Sequence, residues 1–183
     1  YWCTTAWVRD FCARREMTLI EVAAEDVAAR AVTEQADLVF IETPSNPWLK
    51  SVDIAAVKAA SDALLVVDAT AATPILTRAL DHGADLVMHS ATKAINGHSD
   101  VLAGVLSTRA TDVPVWAMIK ADRKMAGAVL GPFEAWLLMR AMRTLPLRVE
   151  RMSQNALTLA KTLLAHEKVA DVFYPGLPHH AGH

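Results

Sequence analysis

The chain has 183 residues, enough to bury a sizeable core, and a composition 53% hydrophobic but only 21% charged points to burial against other segments or subunits. A net charge of −2 gives no electrostatic case for nucleic acid, and no apolar run approaches the roughly 18 residues of a membrane span. Cys3 and Cys12 are too few for a disulfide framework and lack metal-site spacing, so reduced thiols and a cytoplasmic location are expected.

In chain order, residues 5 to 16, beginning Thr5-Ala6-Trp7-Val8 and rich in Arg, read as a helix; charged Arg9, Asp10 and Arg14 among aromatics do not make a signal peptide. Met17 to Val22 reads as a short strand and Glu25 to Val32 as a second helix. Ala36 to Glu42 follows, with Leu38-Val39-Phe40-Ile41 as a buried strand. Thr43-Pro44-Ser45-Asn46-Pro47 cannot be regular structure, because its prolines remove backbone donors and bias their predecessors to extended conformations. Asp53 can cap a helix over residues 54 to 60 that leads into Leu64-Leu65-Val66-Val67, a buried run ending at Asp68. Asp85-Leu86-Val87-Met88-His89 reads as a further buried strand, followed at once by Ser90-Ala91-Thr92-Lys93. Tryptophan, methionine and leucine between residues 116 and 142 read as core or subunit interface. Leu137 to Arg143 and Arg148 to His166 alternate apolar and charged residues at helical spacing. His179, His180 and His183 read as a chain terminus; such tracts specify metal sites only loosely, and no metal is expected.

Strands alternating with helices in this way predict an α/β fold with a mostly parallel, doubly wound sheet flanked by helices. Ligands of such sheets sit outside the carboxyl ends of the strands, and three strands here end at polar groups: Glu42 with Asn46, Asp68 with Thr70, and Ser90 with Thr92 and Lys93. A lone lysine after a strand equally fits a solvated side chain, and Ser-x-Thr a helix cap. Together with Asp68, the set fits pyridoxal phosphate (PLP). An aldehyde cofactor needs a lysine for a Schiff base, a carboxylate to keep its pyridine nitrogen protonated, and hydroxyls with backbone N–H groups for its phosphate.

The text from Ile41-Glu42-Thr43-Pro44-Ser45-Asn46-Pro47 through Val67-Asp68 and His89-Ser90-Ala91-Thr92-Lys93 to Gly97-His98-Ser99-Asp100-Val101 closely resembles the Cys/Met-metabolism family of PLP enzymes. The resemblance continues through Gly131-Pro132-Phe133-Glu134-Ala135-Trp136, Thr144-Leu145-Pro146-Leu147-Arg148 and Tyr174-Pro175-Gly176-Leu177-Pro178, covering nearly the whole chain. It implies the large domain of a fold-type I PLP enzyme over residues 1 to 140, with residues 141 to 183 forming a linking helix and the start of a smaller domain. It also implies that the chain is an internal piece of a longer enzyme, which works as a homo-oligomer, a dimer of dimers, on a small sulfur amino acid.

The site residues that the resemblance implies are these. Lys93 would carry the cofactor and act as the mobile base, Asp68 would pair with the pyridine nitrogen, and Ser90 and Thr92 would hold the phosphate, with Thr70 beside them. Asn46 matches the residue that bonds the phenolic oxygen, and Tyr1 the tyrosine that stacks on the ring and acts as acid or base. Glu42 and Cys3 are substrate-side candidates, although Glu42 can simply tether a loop. His89 is expected to pack under the site, and His98 with Asp100 to fix the Gly97 loop. Family members commonly carry Asn where this chain has Ala69, and an Arg where it has Thr5 and Ala6. The implied activity is a C–S lyase or a γ-replacement transferase, with γ-chemistry favoured by the segments at Thr144 and Tyr174. The other outcomes are a β-lyase, a methionine γ-lyase, or a truncated module that docks on a complete homologue.

Overall fold

The computed structural model describes residues 2 to 183, the side chain of Thr33 excepted; the expectation for Tyr1 lies outside the described residues. Helix α1 (Trp2–Ala13) begins three residues before the expected start and ends by a backbone device rather than at Glu16. Glu16 turns left-handed at φ 54°, Met17 N donates to Cys12 O (3.0 Å) and Glu16 N to Ala13 O (3.4 Å), which is the Schellman closure.

Residues 17 to 22 form no strand, contrary to expectation. Alternating apolar residues make a strand only where a neighbouring strand takes up the backbone groups, and among the described residues none pairs with this segment. It is instead tied to α1 by a two-pronged Arg9–Glu21 pair at 2.5 and 2.6 Å, and Met17, Leu19 and Ile20 stay exposed.

Helix α2 (Val27–Glu34) follows one 3-10 turn and stops at Gln35 in the left-handed region. Strands β1 (Leu38–Glu42), β2 (Leu64–Asp68) and β3 (Leu86–Ser90) run parallel in that order, and β4 (Gly104–Ser107) adds antiparallel to β3. The sheet is therefore mostly parallel and flanked by helices, as expected. Among the described strands the order does not reverse, so the second direction of winding is not seen there.

Helix α3 (Ile54–Ala60) crosses from β1 to β2, and Asp53 caps it as expected, its side chain accepting from Ala56 N at 3.0 Å. Its Ile54 and Val57 pack on Ile41, Leu65, Val67 and Val87, so one face of the sheet and one stripe of the helix bury each other. Strand β2, central and covered on both faces, is buried from Leu65 to Asp68. Strand β1 departs from expectation. It is an edge, and Leu38 and Phe40, which share one face, remain 51% and 48% exposed.

Between β2 and β3 the chain forms a short α4 (Thr73–Leu76) and, after β4, the helices α5 (Pro114–Met125), α6 (Pro132–Met142) and α7 (Leu145–Leu164). The last three open with proline in the first two positions, where its missing N–H has no partner to lose. A second core joins Ala91 and Ile95, just after β3, to Leu138, Leu145 and Val149 of α6 and α7. Of the run between 116 and 142 only Leu138 and Ala141 are buried: α5 buries no residue, and Met118, Met125, Phe133, Trp136 and Met139 are exposed. Among the described residues no helix is long and apolar enough to cross a membrane.

Candidate functional site

The parallel register sets the site. Glu42 stands opposite Asp68, and Asp68 opposite Met88, so Ser90 emerges two residues beyond the line that the two carboxylates share. Asp68 is 8% exposed, and its Oδ1 accepts from Thr70 N (3.0 Å) and Thr70 Oγ1 (2.5 Å). That hydroxyl in turn accepts from Ser90 N at 2.8 Å, linking the ends of β2 and β3. Oδ2 of Asp68 takes no hydrogen bond from the described residues, which leaves one carboxylate oxygen for an outside donor.

His89 packs under this network, 6% exposed, with no partner for Nε2. Burial pushes its imidazole below the ordinary 6.5, and the nearby Asp68 carboxylate pulls only part of the way back. The folded chain thus keeps His89 neutral at a pH where the unfolded chain already binds a proton. Stability is fully present above 6.5 and is lost as pH falls from there through the lowered native value. The thermal midpoint should drop on acidification below 6.5, and His89→Gln should remove that part of the slope. Parallel curves for both proteins between about pH 5 and 8 would refute the assignment.

Lys93 lies in the turn after β3, its N donating to Ser90 O (3.0 Å) and its carbonyl accepting from Gly97 N (2.7 Å). The side chain is exposed on the wall of a cavity of about 930 Å³, together with Thr92, Ser99, Asp100, Arg148 and Arg151. Asp68, Thr70 and Ser90 do not line that cavity, although the strand-end register sets Asp68 one strand away from the turn that bears Lys93. Thr92 is engaged locally: its Oγ1 accepts from Ala103 N (2.9 Å) and donates to Ala103 O (3.3 Å).

The other expected residues separate into two groups. Glu42 tethers the proline-rich loop by accepting from Asn46 N at 3.0 Å, while the Asn46 side chain is exposed. Cys3 is a free, half-buried thiol on α1, remote in sequence from the strand ends. His98 Nδ1 meets Asn96 O (2.6 Å) and Asp100 Oδ1 accepts from Asn96 Nδ2 (2.8 Å), so both fix the loop through Asn96, which the sequence reading passed over. Thr43 was also missed. It is 5% exposed, donates its N–H to Asp68 O (3.1 Å) and accepts from Val52 N (2.9 Å), and nothing but its place after a strand could have marked it. Ala69 is fully buried in the core under β2, so the departure from Asn at that position faces away from the strand-end polar groups. The terminal histidines go to separate partners, Asp171 for His179 and Pro175 O for His183. Among the described residues no group of three or more His, Cys, Asp or Glu could hold a metal ion.

The whole chain, residues 1–183, matches the Cys/Met metabolism PLP-dependent enzymes. It belongs to that family. Among its relatives, a cystathionine beta-lyase from Lactococcus lactis subsp. cremoris is 43% identical over 168 residues, 90% of this chain and 44% of the relative. A cystathionine gamma-synthase from Mycobacterium bovis is 42% identical over 172 residues, 92% and 44% of the two chains. Of solved structures, a methionine gamma lyase from Micromonospora echinospora superposes with a TM-score of 0.89 at 39% identity, over 97% of this chain and 50% of that one. The chain thus spans about half the length of the relatives it matches. The family uses PLP, and the donor set here fits that group: a lysine, hydroxyls at a strand end, and a carboxylate with one oxygen to spare.

Proposed function

We propose that this chain carries the cofactor-binding part of a trans-sulfuration enzyme, a C–S lyase or γ-replacement transferase acting on a sulfur amino acid. The observation that supports it most directly is Asp68, buried at a strand end with Oδ1 fixed by Thr70 and Oδ2 free, one strand away from the turn that bears Lys93. When bound, PLP supplies an electron sink that makes the bonds at Cα and, through it, at Cβ and Cγ of an amino acid labile. Lys93 would hold the cofactor through Nζ and, as a mobile base, would move the Cα proton. Asp68 Oδ2 accepts the ring N–H and keeps that nitrogen positive. Ser90 offers its hydroxyl to the phosphate. Thr92 can do so by turning its proton away from Ala103 O, the longer of its two contacts, while its oxygen keeps Ala103 N. Asn46 would add a ring contact, a role that the family pattern alone also gives to Tyr1, and Glu42 acts by holding the Asn46 loop.

The exposed Met118, Met125, Phe133, Trp136 and Met139 support a homo-oligomer, since large apolar side chains left to solvent on two successive helices are the kind that an assembly covers. The relatives divide between β- and γ-chemistry, and γ-chemistry is the reading favoured here. Cystathionine given to the purified full-length protein with PLP distinguishes them by product. Cleavage at Cγ releases cysteine, 2-oxobutanoate and ammonia, whereas cleavage at Cβ releases homocysteine, pyruvate and ammonia. Neither oxoacid, and no cystathionine from cysteine and a homoserine ester, would overturn the proposal.

A further inference from the structure

The turn that presents Lys93 is not held by its own backbone alone. Within it Asn96 N donates to Ala91 O (2.8 Å) and Gly97 N to Lys93 O (2.7 Å). The carbonyls of Ala94 and Ile95 are claimed from a distance: Arg148, in the first turns of α7, donates from Nη1 to Ala94 O (2.6 Å) and from Nη2 to Ile95 O (3.0 Å). The same guanidinium is braced from its other side. Nη2 also donates to Ala141 O (3.1 Å) at the end of α6, and Nε to Thr144 Oγ1 (3.1 Å), whose own proton goes to Ala141 O (3.1 Å). Four bonds from one planar fork therefore lock the Lys93 turn to the α6–α7 corner, a geometry that a lysine's single ammonium does not reproduce.

Gly97 shows how close that approach is. It sits at φ +71°, and a Cβ there would lie 2.0 Å from Arg148 Nη1, so both its conformation and its lack of a side chain make room for the guanidinium. Arg148 also lines the cavity whose wall Lys93 occupies.

We propose that Arg148 is a positioning residue for Lys93: it fixes the 91–97 turn, and so the direction in which the Lys93 amine is held, without itself touching the reacting atoms. The catalytic consequence rests on the reading of Lys93 given above; the clamp does not. Hydrogen exchange on the cofactor-free full-length protein tests the clamp by itself. Arg148→Met should make the 91–97 peptide exchange about tenfold faster or more while β3 residues 86–90 keep their protection. Arg148→Lys should recover only part of that loss.

With PLP added, the visible absorption of the Lys93-linked cofactor should shift its pH midpoint in Arg148→Met, and borohydride trapping at Lys93 should slow several-fold. A support that acts on overall stability alone would lower the thermal midpoint and leave that midpoint of titration in place. Should Arg148→Met fail to fold, Thr144→Val, which removes the Nε acceptor and the hydroxyl's own bond to Ala141 O while leaving the guanidinium in place, decides: faster exchange in 91–97 supports the clamp, and unchanged exchange overturns it. Wild-type protein that takes no label at Lys93 would refute the PLP reading instead, and the exchange result would stand apart from it.

Discussion

Lys93→Ala should abolish covalent capture of the cofactor while leaving the fold untouched. The side chain is exposed, and no ion pair or hydrogen bond from its Nζ holds any neighbour among the described residues, so its truncation should change stability by no more than about 0.5 kcal/mol. Turnover is a different matter, because on the proposed reading one residue serves as both anchor and mobile base. Removal of a positioned base alone costs about 10²–10⁴ in rate, and the loss of covalent attachment adds to that. Borohydride reduction of the wild-type protein with PLP, followed by peptide mapping, should place a stoichiometric label on Lys93 and none there in the variant. Label spread over Lys50, Lys58 and other surface lysines of a folded sample would sink the assignment.

How much of this was legible depended on how local each signal was. The three parallel strands, the cap at Asp53 and the irregular proline loop follow from runs of a few neighbouring residues, and all were found where the sequence put them. Strand β4 was not foreseen. Gly104-Val105-Leu106-Ser107 is too short to carry a periodicity and becomes a strand only because β3 offers it an edge, Ser90 against Gly104. The alternation at residues 17 to 22 failed for the converse reason, having the pattern without the partner. Leu38 and Phe40 looked buried because composition cannot tell a central strand from an edge.

The site divides along the same line. Lys93, Asp68 and Ser90 were visible as residues after apolar runs, and the aligned register brings their strand ends together. The Asp68–Thr70–Ser90 chain and the grip of Arg148 on Ala94, 54 residues away, depend on tertiary distances that no local pattern encodes. Thr92, expected at a phosphate, also closes its own loop onto Ala103, a second engagement that a hydroxyl next to a backbone strand makes readily and that the sequence did not signal.

Asp68→Asn isolates the electronic role of the carboxylate from its structural one. The carboxamide oxygen can stay where Oδ1 is and keep accepting from Thr70 N and Oγ1, so the link on to Ser90 N survives and the protein should fold. What changes is the other arm, where an NH₂ donor replaces the free Oδ2 and meets a ring nitrogen that needs an acceptor. The variant should therefore still take the borohydride label on Lys93, yet lose about 10²–10³ or more in turnover, because the negative charge that stabilises a protonated ring is gone. Asp68→Ala should be worse in a distinguishable way. It also leaves the Thr70 hydroxyl and N–H without their acceptor in a half-buried position, at a cost of about 1–3 kcal/mol, so its thermal midpoint should fall where that of the Asn variant does not. Equal turnover in wild type and Asp68→Asn, at equal label on Lys93, would mean that the free oxygen serves no cofactor, and the strand-end site would have to be read as an ordinary Asx turn closing β2 onto β3.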